Sequence, residues 1–464
     1  MAGRARQLLG ETAVGIAAAV RSGEVTPIEV VEAHLERIAA VDHRLGAFHL
    51  VRADQVREEA MALQARPDLA ELPLAGVPVA IKDNIHLAGA PSRLGSAATS
   101  GEPMAADAEP VRRLRAAGAL LVGKTAVPEL CLWPFTESEA FGATRNPWSI
   151  EHSPAGSSGG SAVAVAAAMV PLALAADGGG SIRMPASACG LVGIKPGRGV
   201  VPFPDGVSSW LGMSEFGPLA TTVADLGLCL DVLAGTGGHR AVAAPGRPLR
   251  IGVSARPPVV GVKVHPEVLA ALQATAEALQ SAGHQVDTAD PPWRTGDANA
   301  FLYRTFLGCA EDADGLPAEA LEPRTRAEAR VGRALRRAGP SPSGPPARAL
   351  ARYRAWFEDH DVLLTPTLAT PPLRVGAYQG KGLWRTVLGL TGFMPFTPPL
   401  NLVGFPAASV PAGTSSEGLP IGAQLAAAPG GEGLLLSLAR QLETLRPWPR
   451  HAPLELVPVP GQRS

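Results

Sequence analysis

The chain has 464 residues, enough for one to three domains. Its 41 basic and 42 acidic side chains leave a net charge of −1, so there is no polycationic face of the kind that nucleic acid or an anionic membrane attracts. Apolar residues make up 46%, too many for a disordered chain, and 52 glycines with 45 prolines point to many tight turns and close backbone approaches.

Arg4 and Arg6 precede Leu8 and Leu9, but Glu11, Arg21 and Glu24 interrupt the apolar stretch, so a signal peptide is not expected there. Residues 12–65 read as helices; Thr26-Pro27 is a start signal, and Ile28, Val31, Leu35 and Ile38 follow at helical spacing. A short strand at 77–81 runs into Lys82-Asp83-Asn84. A helix at 108–117 precedes a strand at 119–122. A Gly/Ser-rich loop at 156–160 opens an alanine-rich helix at 161–169, followed by a strand at 172–176 and a second glycine loop at 178–180. The run 162–176 is the longest apolar stretch. Pro171 breaks it, and it is too short to span a membrane.

Further on, 249–253, 266–282 and 286–288 form a β-α-β pattern. Residues 316–338 read as an exposed Ala/Arg/Glu-rich helix, 339–346 as a flexible Gly/Pro/Ser loop, and 447–464 as an extended tail. Strands alternate with helices throughout. The expectation is one α/β domain over 1–464: a three-layer α/β/α arrangement around a large mixed, mostly parallel sheet, with 1–70 as an N-terminal helical layer. Cys131, Cys189, Cys229 and Cys309 include no Cys-x-x-Cys pair, which fits a reducing, cytoplasmic setting.

Two short motifs mislead. Gly118 to Thr125 fits the P-loop pattern letter for letter, but the residues between its glycines, Ala-Leu-Leu-Val, read as a strand rather than a phosphate cradle. Gly156 to Gly160 fits the nucleophile elbow Gly-x-Ser-x-Gly, which would make Ser158 the nucleophile; no strand precedes it, and no later histidine has a persuasive context.

Three segments carry more weight together: Gly76 to Asn84, Gly156 to Ser161, and Asp177 to Arg183 running on to Pro196. They resemble the amidase signature family. The likeness extends to Glu137, 141–148, 361–367, 401–407 and 418–424, and it is weakest at 289–350. The resemblance implies a Ser–cis-Ser–Lys triad with Lys82 as base, Ser157 as the cis bridging serine and Ser181 as nucleophile. Gly178, Gly179, Gly180 and Ser181 would form the oxyanion loop, supported by Ser158, Asp177 and Arg183. Three positions depart from the family's pattern: Gly178 stands in place of a larger residue, Ala155 in place of a glycine, and Ser138-Glu139 follows Glu137.

The chemistry is compatible with those roles. A serine must lose its proton as it attacks an amide. Lysine serves as the base only when neutral, so its ordinary pKa of ~10.4 must fall to near 7, a cost of about 4–5 kcal/mol that burial can impose. Lys82 follows an apolar strand, and consecutive glycine N–H groups before Ser181 can hold an oxyanion.

Aromatic residues are scarce, so Trp133, Phe135, Phe393 and Phe396, with Trp210, Trp384 and Met394, are candidate pocket walls for an apolar or aryl substituent; core packing is the competing role. No cofactor and no metal site is expected: there is no His-Glu-x-x-His or cysteine cluster, and His360 reads as a solvated helix end. The expected partner is a small-molecule amide, with no nucleic acid or membrane; a homodimer is compatible. Two other readings stay open: an amidotransferase A-type subunit releasing ammonia from glutamine, and a silent binding module that keeps the fold.

Overall fold

The computed structural model describes residues 7–203, 210–239, 243–339, 342 and 344–453. Among the described residues, eleven strands form one sheet: β1 (Phe48–Val51), β2 (Pro78–Lys82), β3 (Leu120–Thr125), β6 (Leu172–Asp177), β7 (Val192–Lys195), β8 (Glu215–Ala220), β9 (Arg250–Val253), β10 (Gln285–Thr288), β11 (Val362–Pro366), β12 (Ala407–Thr414) and β13 (Pro420–Ala426). Their order across it is β1-β3-β2-β6-β8-β7-β12-β13-β11-β9-β10. The two-residue strands β4 (Glu137–Ser138) and β5 (Gly142–Ala143) pair separately. Helices flank the sheet, which gives the expected α/β/α layering.

The sheet is mixed, as expected, but the expected parallel majority is not observed. Four of its pairings are parallel and six antiparallel among the described residues. Parallel neighbours need a crossover, which the helix Pro266–Ser281 supplies between β9 and β10. By contrast, β12 returns into β13 through a tight turn in which Ser415 N–H donates to Leu419 O at 2.8 Å, and so the two pair antiparallel.

The N-terminal region is helical as read, over Ala13–Arg21, Pro27–Leu45 and Ala53–Gln64. Thr26 and Glu29 cap the second helix reciprocally. Hidden between helices, Phe48–Val51 is a strand: β1 pairs with β3 and forms the sheet edge. The stretch 316–338 also differs from expectation. It resolves into a short 3-10 turn and a helix Pro323–Ala338 that is not solvated all round, because Thr325, Glu328, Ala329 and Gly332 are buried. A Cβ on Gly332 would lie 1.8 Å from Phe306 O, so glycine is what lets this helix dock on its neighbour Thr295–Asp312. A charged composition concealed a narrow buried stripe. In the 339–346 loop, residues 340, 341 and 343 lie outside the described residues, as does 454–464 of the expected tail.

Candidate active site

β2 and β6 lie side by side and parallel, so their C-terminal ends open at the same edge. Lys82 is the last residue of β2 and Asp177 the last of β6. Both strands are buried along their whole length, which carries Lys82 into the interior at 1% exposure. Lys82 Nζ lies 2.8 Å from Ser157 Oγ and donates to Ala176 O at 3.1 Å. Burial pushes the ammonium below its ordinary pKa, against the opposing pull of the Asp177 and Asp83 carboxylates.

Ser157 follows a cis peptide bond from Gly156. It ends the glycine-rich loop ahead of the helix Gly159–Ala166, which is built from small residues and buried throughout. Ser158 sits at that helix's N-cap; its hydroxyl donates to Ala176 O at 3.2 Å, and its N–H donates to Ser181 O at 3.3 Å. The Ser158 side chain is fully buried, and it is not among the residues lining the site cavities, unlike Ser157 and Ser181. Ser181 and Ser157 line one cavity with Lys82. Among the described residues, no hydrogen bond joins the two hydroxyls and none engages Ser181 Oγ.

Asp177 shapes the loop that carries Ser181. Its carboxylate accepts from Gly180 N–H at 2.6 Å and from Ile182 N–H at 3.2 Å, and it forms a bidentate pair with Arg183 at 2.9 Å for both bonds. Burial alone would raise its pKa, but the Arg183 charge and hydrogen bonds outweigh this and hold it below the usual carboxylate range. Arg183 donates further to Gln424 Oε1 at 2.6 Å and Thr397 O at 3.1 Å. Asn401 Nδ2 donates to Asp177 O at 2.8 Å, and Thr397 Oγ1 donates to Gly179 O at 2.7 Å. This bonding corrects one expectation: the Gly180 N–H is engaged by Asp177 and is not free for an oxyanion, while no hydrogen bond among the described residues takes the N–H of Gly179 or Ser181. Thr397, Asn401 and Gln424 were not anticipated as loop braces. Asn401 and Gln424 lie in segments that carried the family likeness, whereas Thr397, one helical turn before Asn401, had only that spacing as a signal.

The departure at Gly178 has a physical reason. A Cβ there would lie 2.7 Å from Ser214 Oγ and 3.1 Å from the Trp210 ring, so the indole occupies the space of a larger residue. Trp210 Nε1 donates to Asp312 Oδ2 at 2.8 Å.

Two cavities meet at Ser181, Cys131 and Trp210. One holds Lys82 and Ser157 and has polar walls that include Asn84, His86 and Ser214. The other is mainly apolar. Trp133, Trp210 and Met394 line it. Phe135, Phe393 and Phe396 do not. Phe135 stacks between Trp133 and Tyr378, and Phe393 and Phe396 are buried core residues. Trp384 is 58% exposed and packs edge-on against Phe306. The missed wall is Ala298, Phe301, Leu302, Thr305 and Phe306, one face of the helix Thr295–Asp312. Its spacing is helical, but it lies in the stretch where the resemblance is weakest.

The motifs that misled have structural places too. Lys124, in the P-loop look-alike, is buried in β3 and donates to Ser92 Oγ at 3.0 Å and to Ile85 O; burial pushes its pKa down to about 8.

The family model described as Amidase matches residues 29–313 and 346–436. AmiB2 of Mycobacterium tuberculosis is 44% identical over 448 residues, covering 93% of this chain and 95% of that protein. A 6-aminohexanoate-cyclic-dimer hydrolase of Paenarthrobacter ureafaciens is 35% identical over 495 residues, covering 97% and 98%. Among solved structures, a 6-aminohexanoate cyclic dimer hydrolase superposes with a TM-score of 0.83 at 33% identity, covering 95% of this chain and 98% of that one. A bacterial aryl acylamidase of the amidase signature family gives 0.81 at 25% identity, covering 99% and 100%.

Proposed function

The chain belongs to the amidase family, and from that premise we propose that it hydrolyses carboxylic amides through an acyl-enzyme on Ser181. The observation that carries this reading is the buried Lys82 amine, 2.8 Å from Ser157 Oγ, on a cavity that Ser181 also lines. Burial favours the neutral amine, the form able to accept a proton.

Ser181 Oγ attacks the amide carbon. Its proton passes to Ser157 while the Ser157 proton passes to Lys82 Nζ. The second link closes as the Ser181 hydroxyl turns toward Ser157 on substrate binding, since catalytic hydrogen bonds commonly tighten in the substrate complex. The N–H groups of Gly179 and Ser181 receive the oxyanion, on a loop that the Asp177–Arg183 pair holds in shape. The relay returns the proton to the departing amine as the C–N bond breaks. Water then attacks the ester and gives its proton to the same relay, and the acid leaves with Ser181 restored. Esters follow the same course, because an alkoxide leaves more readily than an amine.

The apolar cavity supports an apolar or aryl substituent beside the scissile bond. It argues against glutamine, the small polar substrate of an amidotransferase subunit. The likeness to 6-aminohexanoate-cyclic-dimer hydrolases and to an aryl acylamidase supports amide chemistry of this kind. The test is a panel of aliphatic and aryl amides with both products quantified, using the purified chain alone. Equimolar acid and amine from the apolar members, and none from S181A, is the expected result. Inertness toward the whole panel, or activity on glutamine alone, would overturn the reading.

A further inference from the structure

The apolar cavity is not apolar throughout. Glu328, from the helix Pro323–Ala338, lines it and is 2% exposed. Its Oε2 is buried without a hydrogen-bond partner among the described residues. Asp297, the other carboxylate on this wall, differs: Arg352 Nη2 donates to both of its oxygens, at 2.8 and 2.9 Å. The cation whose charge acts on Glu328 is Arg324, one helical turn earlier on the same helix. It donates to Tyr378 O at 3.0 Å and pairs with Glu322 at 3.8 Å, so its bonds run elsewhere. A second unpartnered group lies on the same lining: Trp133 Nε1 is buried and, among the described residues, bonded to nothing, in a side chain 4% exposed. Arg324 links the two, since its guanidinium lies 5.2 Å from the Trp133 ring centroid.

An unpaired ionised carboxylate in such a wall is costly, so the group is held as the neutral acid. Burial pushes its pKa up to about 8, with Arg324 opposing. A neutral carboxyl offers one O–H donor and one carbonyl acceptor, and the indole offers one N–H donor. That set complements an uncharged carboxamide, whose carbonyl accepts and whose N–H donates. Unsatisfied polar atoms on a binding wall mark groups that a ligand satisfies, and a site built to hydrogen-bond its ligand rejects analogues that lack the matching group.

We propose that Glu328, with Trp133, recognises a second, non-reacting carboxamide of the substrate, so that the preferred substrates are diamides with an apolar spacer between the two groups. This rests on the Ser181 reading and adds a specificity residue to the same site.

The experiment compares three series of amides with equal spacers, ending in a carboxamide, an isosteric hydrocarbon or an ammonium group. Wild-type protein should prefer the carboxamide over the hydrocarbon tail by about tenfold in kcat/KM, the effect of leaving one such buried group unpaired. E328Q keeps one donor and one acceptor and should retain that preference. E328L should erase it. An unchanged ratio in E328L overturns the proposal, as does a wild-type enzyme with no preference. It is overturned too if the ammonium tail ranks first in wild type and E328Q abolishes that rank. The wild-type ranking stands even where E328L fails to fold. Failure of all three series to hydrolyse would count against the Ser181 reading instead, so the two outcomes separate.

Discussion

Around Ser181, each supporting side chain is fixed by charge and hydrogen bonds. The Asp177 carboxylate alone receives Gly180, Ile182, Arg183 and Asn401, all fully buried. Across the cavity, Phe301, Leu302 and Phe306 are set by the phase of one helix and the packing behind it. The first region tolerates almost no change of atom type, since each bracing side chain has a designated partner. The second can trade one apolar side chain for another and keep its shape. On the proposed reading, chemistry and selectivity are therefore carried by parts of the molecule with different tolerance. A substitution in the loop should abolish turnover or the fold, whereas one in the wall should move KM.

The largest expected effect tests the loop. S181A should lower kcat by at least ~10⁴-fold with an unchanged circular dichroism spectrum, because no hydrogen bond among the described residues depends on its hydroxyl. K82M and S157A should each cost roughly 10³–10⁴-fold, and the double variant little more than either alone, as expected of groups acting in one relay. Independent, multiplying losses would break the relay into separate roles. Next comes R183M, which leaves the buried Asp177 charge unpaired. It should cost about 3–5 kcal/mol in urea unfolding and remove activity with it. In the wall, F301A should raise KM for apolar amides by roughly tenfold, the effect falling mainly on binding. An equal loss in kcat would erase the distinction between the two regions.

The smallest effect concerns Glu328 and stability. The folded state keeps its proton up to about 8, whereas the unfolded chain loses it near 4.5. Between those values the native state binds more protons, so this residue's contribution to stability falls as pH climbs. Arg324 on its own helix opposes the shift, and the neighbouring Cys309 thiol feels the same carboxylate. E328Q should therefore raise Tm more at pH 8.5 than at pH 5, by roughly 2–5 °C. A gain independent of pH, read by scanning calorimetry, would show that Glu328 does not titrate there.

The comparison also explains what the sequence disclosed. Ser157 and Ser181 stand in dense runs of glycine and serine, and Lys82 ends a short apolar strand, so the positions of all three were readable from local pattern. The loop's donor set was not: only folding shows that Asp177 turns back to accept the Gly180 N–H. Phe393 and Phe396 drew notice as neighbouring aromatics, yet burial turned both into core, and the wall came from 298–306, a helical face with no motif. β1 was hidden because four residues between two strong helices carry too little pattern. Gly332 gave no sign of helix docking, since a close approach depends on a partner far away in sequence.

The central claim is that a neutral Lys82 draws the Ser181 proton through Ser157. Its most direct measurement is the rate at which a serine-directed phosphonate modifies the protein across pH, with the adduct located by peptide mass spectrometry. The account predicts modification of Ser181, at a rate rising with pH through an apparent pKa below the ordinary lysine value of 10.5, and none in K82M. Modification at Ser158, or at Ser181 with a rate indifferent to the loss of Lys82, would contradict it.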